Sequence, residues 1–172
     1  MTENNETVYV VEDDEAVRDS LELLLKSADH DVSTYPTANA FLEKYSEEMA
    51  GCIVLDIRMP GMDGMELQRR LNQKNSILPI IFVTGHGDVP MAVDAMKQCA
   101  VDFIQKPYRE EDLLKKIEQA LEQDRDQRKT LGQKQEIQRR IDMLTPRESE
   151  IMDRMIAGQA NKVIAIELEI SQ

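Results

Sequence analysis

Five polar side chains follow short apolar segments of this 172-residue chain, and their types suit one kind of chemistry. Three are the carboxylates of Asp13, Asp14 and Asp56, and the others are the hydroxyl of Thr84 and the ammonium group of Lys106. Carboxylates that lie close together repel one another, and a hard divalent cation such as Mg²⁺ relieves the repulsion. A hydroxyl and a lysine supply the donors that a phosphoryl group requires. The set predicts Mg²⁺-dependent phosphoryl chemistry with an aspartate as nucleophile.

Each of these residues also has a structural interpretation, which has at least equal weight when the residue is taken alone. An aspartate between a strand and a helix commonly caps a turn or the helix, and this holds for Asp56 as well as for Asp13 and Asp14. Thr84 suits a turn, and Lys106 suits a solvated surface. What favours the chemical interpretation is the placement of all five residues at the ends of apolar segments.

The apolar segments that precede these side chains are predicted to be buried strands. Residues 8–11, 53–55 and 80–83 lack the polar alternation of a half-exposed strand, and parallel strands that are covered on both faces have this character. Two further strands are predicted at 31–35 and 101–104. Helical spacing of apolar residues predicts helices at 16–28, at 38–45, around 65–71, from 89 and from 110.

This alternation of strands and helices predicts an α/β fold with a five-stranded parallel sheet and helices on both faces, because parallel neighbours need a helical crossover between them. In such sheets ligands bind beyond the carboxyl ends of the strands. The five polar residues lie at the carboxyl ends of four strands. We therefore expect them to converge on one pocket.

Composition narrows the class of protein. The formal net charge of −12 argues against a general surface for nucleic acid or anionic membranes, since both need clustered Lys and Arg. The two cysteines form no disulfide framework or metal-binding spacing. No segment has the apolar length of a membrane span, and the acidic N-terminus is unlike a secretory signal. We therefore expect a cytoplasmic protein without a membrane partner.

Residues 7 to about 124 resemble the receiver domain of a two-component response regulator. The motifs that carry the resemblance are Val-Val-Glu-Asp-Asp at 10–14, Leu-Asp-Ile-Arg-Met-Pro-Gly-Met-Asp-Gly at 55–64, Val-Thr-Gly at 83–85 and Lys-Pro at 106–107. The segment from Thr84 to Met96 is similar to the FixJ-type branch. The resemblance implies a flavodoxin-like sheet of strand order 2-1-3-4-5 and a cis Lys106–Pro107 bond.

The resemblance also implies the role of each residue in the metal site. Asp56 would accept a phosphoryl group from the phosphohistidine of a sensor histidine kinase. Asp13, Asp14 and Asp56 would hold Mg²⁺ together with the backbone carbonyl of Arg58. Such a protein is not an enzyme that acts on an external substrate, although it assists its own phosphorylation and dephosphorylation.

The same resemblance implies a switch at the phosphoryl site. Thr84 and Lys106 would bind the phosphoryl oxygens, and Thr84 and Phe103 would change position on phosphorylation. This movement would remodel the face formed by the fourth helix, the fifth strand and the fifth helix. We expect homodimerisation through that face, through the helix that follows it, or through both.

The segment from Lys115 to Asp142 is charged and rich in Gln, and helix-forming residues dominate it. A long continuation of the fifth helix is therefore predicted. Its heptad frame is poor in apolar residues, which would make a coiled-coil dimer weak. A solvated helix or a flexible linker is the alternative, and a dimerising helix is slightly favoured.

A second resemblance begins near the end of the chain. Thr145 as N-cap, Pro146 at the first helical position and Glu148 at the third predict a capping box, and another helix is predicted from Asn161. These segments are similar to the start of a LuxR/FixJ-type helix-turn-helix output domain. The residues that carry this similarity are Thr145, Pro146, Arg147, Glu148, Asn161 and Lys162. The sequence stops at Gln172, where the recognition helix would begin, so specific DNA binding is expected of the intact protein and not of this chain.

The predicted organisation is a receiver domain at 1–124, a helical linker at 125–142 and an incomplete, all-α helix-turn-helix domain at 143–172. The predicted function is a phosphorylation-activated transcription regulator. One alternative is a Mg²⁺-dependent phosphohydrolase with Asp56 as nucleophile. Another is an interaction module that works without phosphorylation, although the joint presence of the carboxylates, Thr84 and Lys106 argues against it.

Overall fold

The structure, a computed structural model, describes residues 5–85, 88–97 and 102–158. Strands alternate with helices along the first part of the chain. The strands are β1 (Glu6–Val11), β2 (Asp31–Tyr35), β3 (Ala50–Asp56), β4 (Ile80–Thr84) and β5 (Asp102–Gln105). The helices are α1 (Glu15–Ser27), α2 (Ala38–Lys44), α3 (Gly64–Gln73), α4 (Val89–Lys97), α5 (Glu110–Asp142) and α6 (Pro146–Ile156).

The five strands form one parallel sheet in the order β2-β1-β3-β4-β5, which confirms the predicted topology. Its register aligns the carboxyl ends of the central strands. Val11 lies beside Leu55, and Asp56 lies beside Val83. The residues that follow β1 and β3 therefore emerge at the same edge, which we call the carboxyl edge of the sheet.

Helices cover both faces of the sheet, as the uninterrupted apolar strands predicted. Ile53 and Leu55 pack with residues of α2, α3 and α4 on one face. Cys52 and Val54 pack with residues of α1 and α5 on the other face. These four side chains of β3, at positions 52–55, are at most 1% exposed. Burial of a Val, Leu or Ile side chain to this degree contributes about 1.5–3 kcal/mol relative to exposure, so the strands that deliver the polar residues are held firmly.

The opposite edge of the sheet, the amino edge, carries a close contact that the apolar pattern did not predict. Gly51 has a φ of +132°, and a Cβ atom there would lie 1.8 Å from the carbonyl oxygen of Thr7. Its amide donates to Oδ2 of the fully buried Asp124 of α5 over 2.9 Å. The next residue, Arg125, donates to both carboxylate oxygens of Glu6. These contacts attach α5 to the amino edge.

Helix α5 is 33 residues long, which confirms the predicted continuation of the fifth helix. The chain divides into two compact units, with the boundary between Gln127 and Arg128 inside this helix. In the described part of the second unit, residues 128–158, no residue is buried. None of the described helices is long and apolar enough to cross a membrane.

The predicted start of α6 is confirmed. Thr145 Oγ1 accepts from the amide of Glu148, and Glu148 Oε1 accepts from the amide of Thr145. The apolar side chains of α6 are not buried: Ile151 and Met152 are half-buried and Met155 is 53% exposed. The predicted second helix, with Asn161 and Lys162, lies outside the described residues.

Candidate phosphoryl and metal site

Three carboxylates come together at the carboxyl edge of the sheet. They belong to Glu12 and Asp13, which follow β1, and to Asp56, the last residue of β3. One carboxylate oxygen from each lies within 4.8 Å of the others. Glu12 is 3% exposed, Asp56 is half-buried and Asp13 is exposed. The acidic cluster therefore extends from the protein interior, at Glu12, to the solvent, at Asp13.

Asp14, which the sequence placed with the metal ligands, lies elsewhere. Its Oδ1 accepts from the amide of Val17 over 3.1 Å, so Asp14 is the N-cap of α1. The carboxylate that joins Asp13 and Asp56 belongs to Glu12. The prediction from the sequence selected Asp13 and Asp14 and left out Glu12, although the three acidic residues follow β1 in succession. A helix that begins at residue 15 needs a capping residue at 14, and that signal selects the two acidic residues before it.

Hydrogen bonds from Arg18 of α1 stabilise the loop after β1. Arg18 Nη1 donates to the carbonyl oxygen of Glu12 over 2.9 Å and to that of Asp13 over 3.3 Å. Both carbonyls belong to residues of the acidic cluster. Arg18 therefore fixes the backbone from which two of the three carboxylates extend, a role that the sequence pattern did not indicate.

The carboxyl groups of Glu12 and Asp56 have raised pKa values in this site. Burial and the neighbouring charge of Asp56 raise the pKa of Glu12 to about 7. Burial also raises the pKa of Asp56, while Lys106 and the backbone amide of Arg58 act in the opposite direction. A buried carboxyl group beside a second carboxylate favours either a proton or a bound cation.

The loop after β3 folds back closely on Asp56. Oδ1 of Asp56 accepts from the amide of Arg58 over 3.3 Å. The amide of Gly64 donates to the carbonyl of Ile57, and a Cβ atom on Gly64 would lie 2.5 Å from the carbonyl oxygen of Asp56. Asp63 then caps α3 by accepting from the amide of Glu66. After the Asp-Gly pair at 63–64 the chain thus enters α3 without displacing the Asp56 carboxylate.

Thr84 and Lys106 reach the same edge from β4 and from the end of β5. The fully buried Thr84 hydroxyl donates to the carbonyl of Ile104 over 3.4 Å. The amide of Lys106 donates to the carbonyl of Thr84 over 2.7 Å, and the Lys106–Pro107 bond is cis, as the resemblance implied. Lys106 Nζ lies 3.9 Å from Oε2 of Glu12. The lysine therefore faces the acidic cluster, whereas the threonine hydroxyl is engaged with β5.

Phe103 lies on β5 and is half-buried against the apolar cluster that β3, α3 and α4 share. Close to it, α4 leaves three apolar side chains partly exposed at helical spacing. They are Val89 at 37%, Val93 at 44% and Met96 at 38% exposure. Asp102 of β5 pairs with Lys116 of α5 over 2.6 Å. The surface formed by α4, β5 and the start of α5 thus combines an apolar stripe with an ion pair.

Comparison with protein-family models gives two matches. Residues 8–118 match the response regulator receiver domain. Residues 142–172 match the luxR family of bacterial regulatory proteins.

Curated relatives carry the same combination along most of their length. The chain is 46% identical to the transcriptional regulatory protein FixJ of Bradyrhizobium diazoefficiens over 164 residues, which is 95% of this chain and 80% of FixJ. It is 40% identical to the response regulator protein TmoT of Ectopseudomonas mendocina over 172 residues, which is 100% of this chain and 78% of TmoT.

Solved structures agree with these matches. The response regulator StyR aligns with a TM-score of 0.86 at 44% identity, covering 97% of this chain and 84% of StyR. Full-length FixJ from B. japonicum aligns with a TM-score of 0.67 at 46% identity, covering 96% of this chain and 82% of FixJ. The chain therefore belongs to the response regulators of the FixJ-like transcriptional type, and it combines a receiver domain with sequence of the luxR family.

Proposed function

We propose that Asp56 is the phosphoacceptor of this response regulator and takes its phosphoryl group from a sensor histidine kinase. The observation that carries the proposal is the position of the Asp56 carboxylate, which shares the carboxyl edge with two further carboxylates and faces Lys106. Nucleophilic attack by an Asp56 oxygen on phosphorus forms the acyl phosphate. The bond from phosphorus to the histidine nitrogen breaks, and that nitrogen keeps the electron pair.

We assign the metal site to Glu12, Asp13 and Asp56, with the backbone carbonyl of Arg58 as a further ligand. The donor set fits Mg²⁺, which prefers carboxylate and carbonyl oxygens and keeps several waters. When bound, the ion neutralises negative charge that builds up around the transferred phosphoryl group. The raised pKa of Glu12 supports this assignment, because a cation would relieve the repulsion that burial strengthens. The N-cap geometry of Asp14 argues for a structural role instead.

The other polar groups of the edge bind and sense the phosphoryl group. Lys106 already faces the acidic cluster and would pair with phosphoryl oxygens. The Thr84 hydroxyl would exchange its long bond to Ile104 for a phosphoryl oxygen, and Phe103 would move with it. The protein thereby assists its own phosphorylation and dephosphorylation without turning over an external substrate.

We propose that the output of this switch is a change in dimerisation. The partly exposed stripe of α4 together with β5 and the start of α5 supports a homodimer through that face. The second half of α5 is the other candidate, with Leu131 at 43% and Ile137 at 57% exposure. Phosphorylation would favour the dimer, and the dimer would act on transcription through the luxR-family part, in the cytoplasm.

The division of the chain follows from these roles. We assign the receiver domain to residues 1–124, the helical linker to 125–142 and the output domain to 143–172. The output residues Thr145, Pro146, Arg147 and Glu148 form or flank the capping box of α6. We propose that the luxR-family domain makes the contacts with DNA.

The test of this function is phosphorylation of the full chain with Mg²⁺ and phosphoramidate, read by intact mass. Wild type is expected to gain one base-labile phosphoryl group, and Asp56→Asn is expected to gain none. Asp63→Asn is the matched control, because Asn also caps helices and Asp63 lies in the same loop. Equal labelling of Asp56→Asn would refute the role of Asp56. Multiple turnovers of p-nitrophenyl phosphate per chain would favour a phosphohydrolase instead.

A further inference from the structure

An ion pair joins the loop after β3 to the connection between β4 and α4. Arg58 Nε donates to Oδ1 of Asp88 over 2.5 Å. The other oxygen of Asp88 accepts from the amide of Gly85 over 3.2 Å. The Asp88 side chain is 4% exposed, whereas the Arg58 side chain is 71% exposed. A carboxylate buried to this degree is costly unless it is paired, so Asp88 depends on Arg58 in this state.

Arg58 also contacts the acceptor side chain. Its amide donates to Oδ1 of Asp56, and its guanidinium binds Asp88. Arg58 therefore donates hydrogen bonds to two carboxylates, one at the end of β3 and one just before α4. Asp88 in turn bonds Gly85, which directly follows Thr84. A continuous set of hydrogen bonds thus leads from the acceptor carboxylate to the residue after the switch threonine.

We propose that the Arg58–Asp88 ion pair stabilises the position that Asp88 takes in the unphosphorylated protein, and that a phosphoryl group on Asp56 weakens this pair. The inference rests on the proposed role of Asp56. A guanidinium binds phosphoryl oxygens strongly, and the exposed Arg58 side chain extends from the residue that already contacts Asp56. A guanidinium drawn to the phosphoryl group compensates the buried Asp88 carboxylate less well. Arg58 is accordingly a positioning residue of the switch.

This coupling makes a prediction about affinity. A contact that is present only in the unphosphorylated state opposes phosphorylation, so its removal strengthens binding of a phosphoryl analogue. Asp88→Asn removes the charge of the pair and keeps an oxygen that can accept from Gly85. With Mg²⁺ and beryllofluoride, this variant of the full chain is expected to bind about tenfold more tightly than wild type, as measured by ¹⁹F NMR titration.

Three further variants separate this proposal from a purely structural role of Asp88. In Arg58→Gln, the added change Asp88→Asn is expected to have no further effect on beryllofluoride affinity, because the pair is already broken. Asp94→Asn makes the same charge change at an exposed position of α4 and is expected to bind like wild type. Circular dichroism checks that each variant is folded.

The outcomes are distinguishable. Unchanged or weaker binding by Asp88→Asn would overturn the inference, and so would an equal effect of Asp88→Asn with and without Arg58. Failure of the proposed function looks different: wild type would not bind beryllofluoride, or Asp56→Asn would bind it equally well.

Discussion

Both edges of the receiver sheet carry buried carboxylates, and the protein treats them differently. At the amino edge the fully buried Asp124 accepts from the amide of Gly51, and Glu6 receives two hydrogen bonds from Arg125. At the carboxyl edge burial and the charge of Asp56 raise the pKa of Glu12 to about 7. The amino edge supplies donors for its carboxylates, whereas the carboxyl edge sets carboxylates against one another.

This difference separates a structural region from a chemical one. Paired carboxylates attach α5 to the sheet and lower the energy of the fold. Crowded carboxylates raise it, and a site of this kind is retained where a cation or a reaction makes use of the charge. Substitutions at the amino edge should therefore act on stability alone. Neutralising a buried, crowded carboxylate at the carboxyl edge should raise stability without divalent cations and weaken Mg²⁺ binding.

The largest effect is expected for Gly51→Ala at the amino edge. The new Cβ atom would lie 1.8 Å from the Thr7 carbonyl oxygen in a backbone conformation that side chains rarely adopt. We expect a loss of more than about 4 kcal/mol in the free energy of unfolding, measured by urea denaturation. Gly61→Ala is the control. It also has a positive φ but meets no atom within 4 Å, and it should cost only about 1 kcal/mol.

The next effect concerns Glu12 and depends on pH. Its carboxyl group holds a proton to about pH 7 in the folded chain and to about pH 4.5 in the unfolded chain. The folded state therefore binds more protons between these values, and its stability falls as the pH rises through them. The Glu12→Gln variant should not lose stability in this way, because its side chain does not titrate. Without divalent cations the variant should exceed wild type by about 3 kcal/mol at pH 8, with little difference near pH 4.

Wild type and Glu12→Gln should also differ in how much Mg²⁺ stabilises them. The ion should stabilise wild type at pH 8 and should stabilise Glu12→Gln much less, because the variant lacks one ligand and the repulsion. Thermal unfolding with and without Mg²⁺ measures both effects. A stability difference that is constant across pH would contradict the raised pKa of Glu12.

A smaller effect distinguishes the two neighbouring aspartates of the loop after β1. Asp14→Ala removes the N-cap of α1 and should cost about 1 kcal/mol of stability without changing Mg²⁺ affinity. Asp14→Ser keeps a capping oxygen and should restore most of the loss. Asp13→Ala should show the reverse pattern, with weaker Mg²⁺ binding and no loss of the cap. Weakened Mg²⁺ binding by Asp14→Ser would return Asp14 to the metal site.

The same comparison explains what could be predicted from the sequence. The carboxyl edge was largely predictable, because Asp56, Thr84 and Lys106 each follow an apolar segment and strand ends of a parallel sheet share an edge. The pattern of apolar residues located the five strands and the first five helices, and the capping box located α6. It could not choose between Asp14 and Glu12, since that choice depends on the one residue at which α1 begins.

The amino edge was not predictable in this way. Asp124 is one of many charged residues between positions 115 and 142, and only the fold brings it to Gly51, 73 positions away in the chain. Arg18 escaped notice for a similar reason, because its partners are backbone carbonyls that carry no side-chain signal. Contacts between distant elements through backbone groups leave little trace in residue type.

The smallest effect is expected at the exposed part of the amino edge. Arg125 pairs with Glu6 in a two-point contact, but its side chain is 46% exposed. A pair in this environment contributes about 0.2–1 kcal/mol and is screened by salt. Arg125→Gln should therefore lower the free energy of unfolding by less than about 1 kcal/mol, and the difference should shrink in about 1 M NaCl. Because the pair is remote from the acidic cluster, Mg²⁺ affinity should stay that of wild type. A change in Mg²⁺ affinity would show that the two edges are coupled, and the division between a structural edge and a chemical edge would then fail.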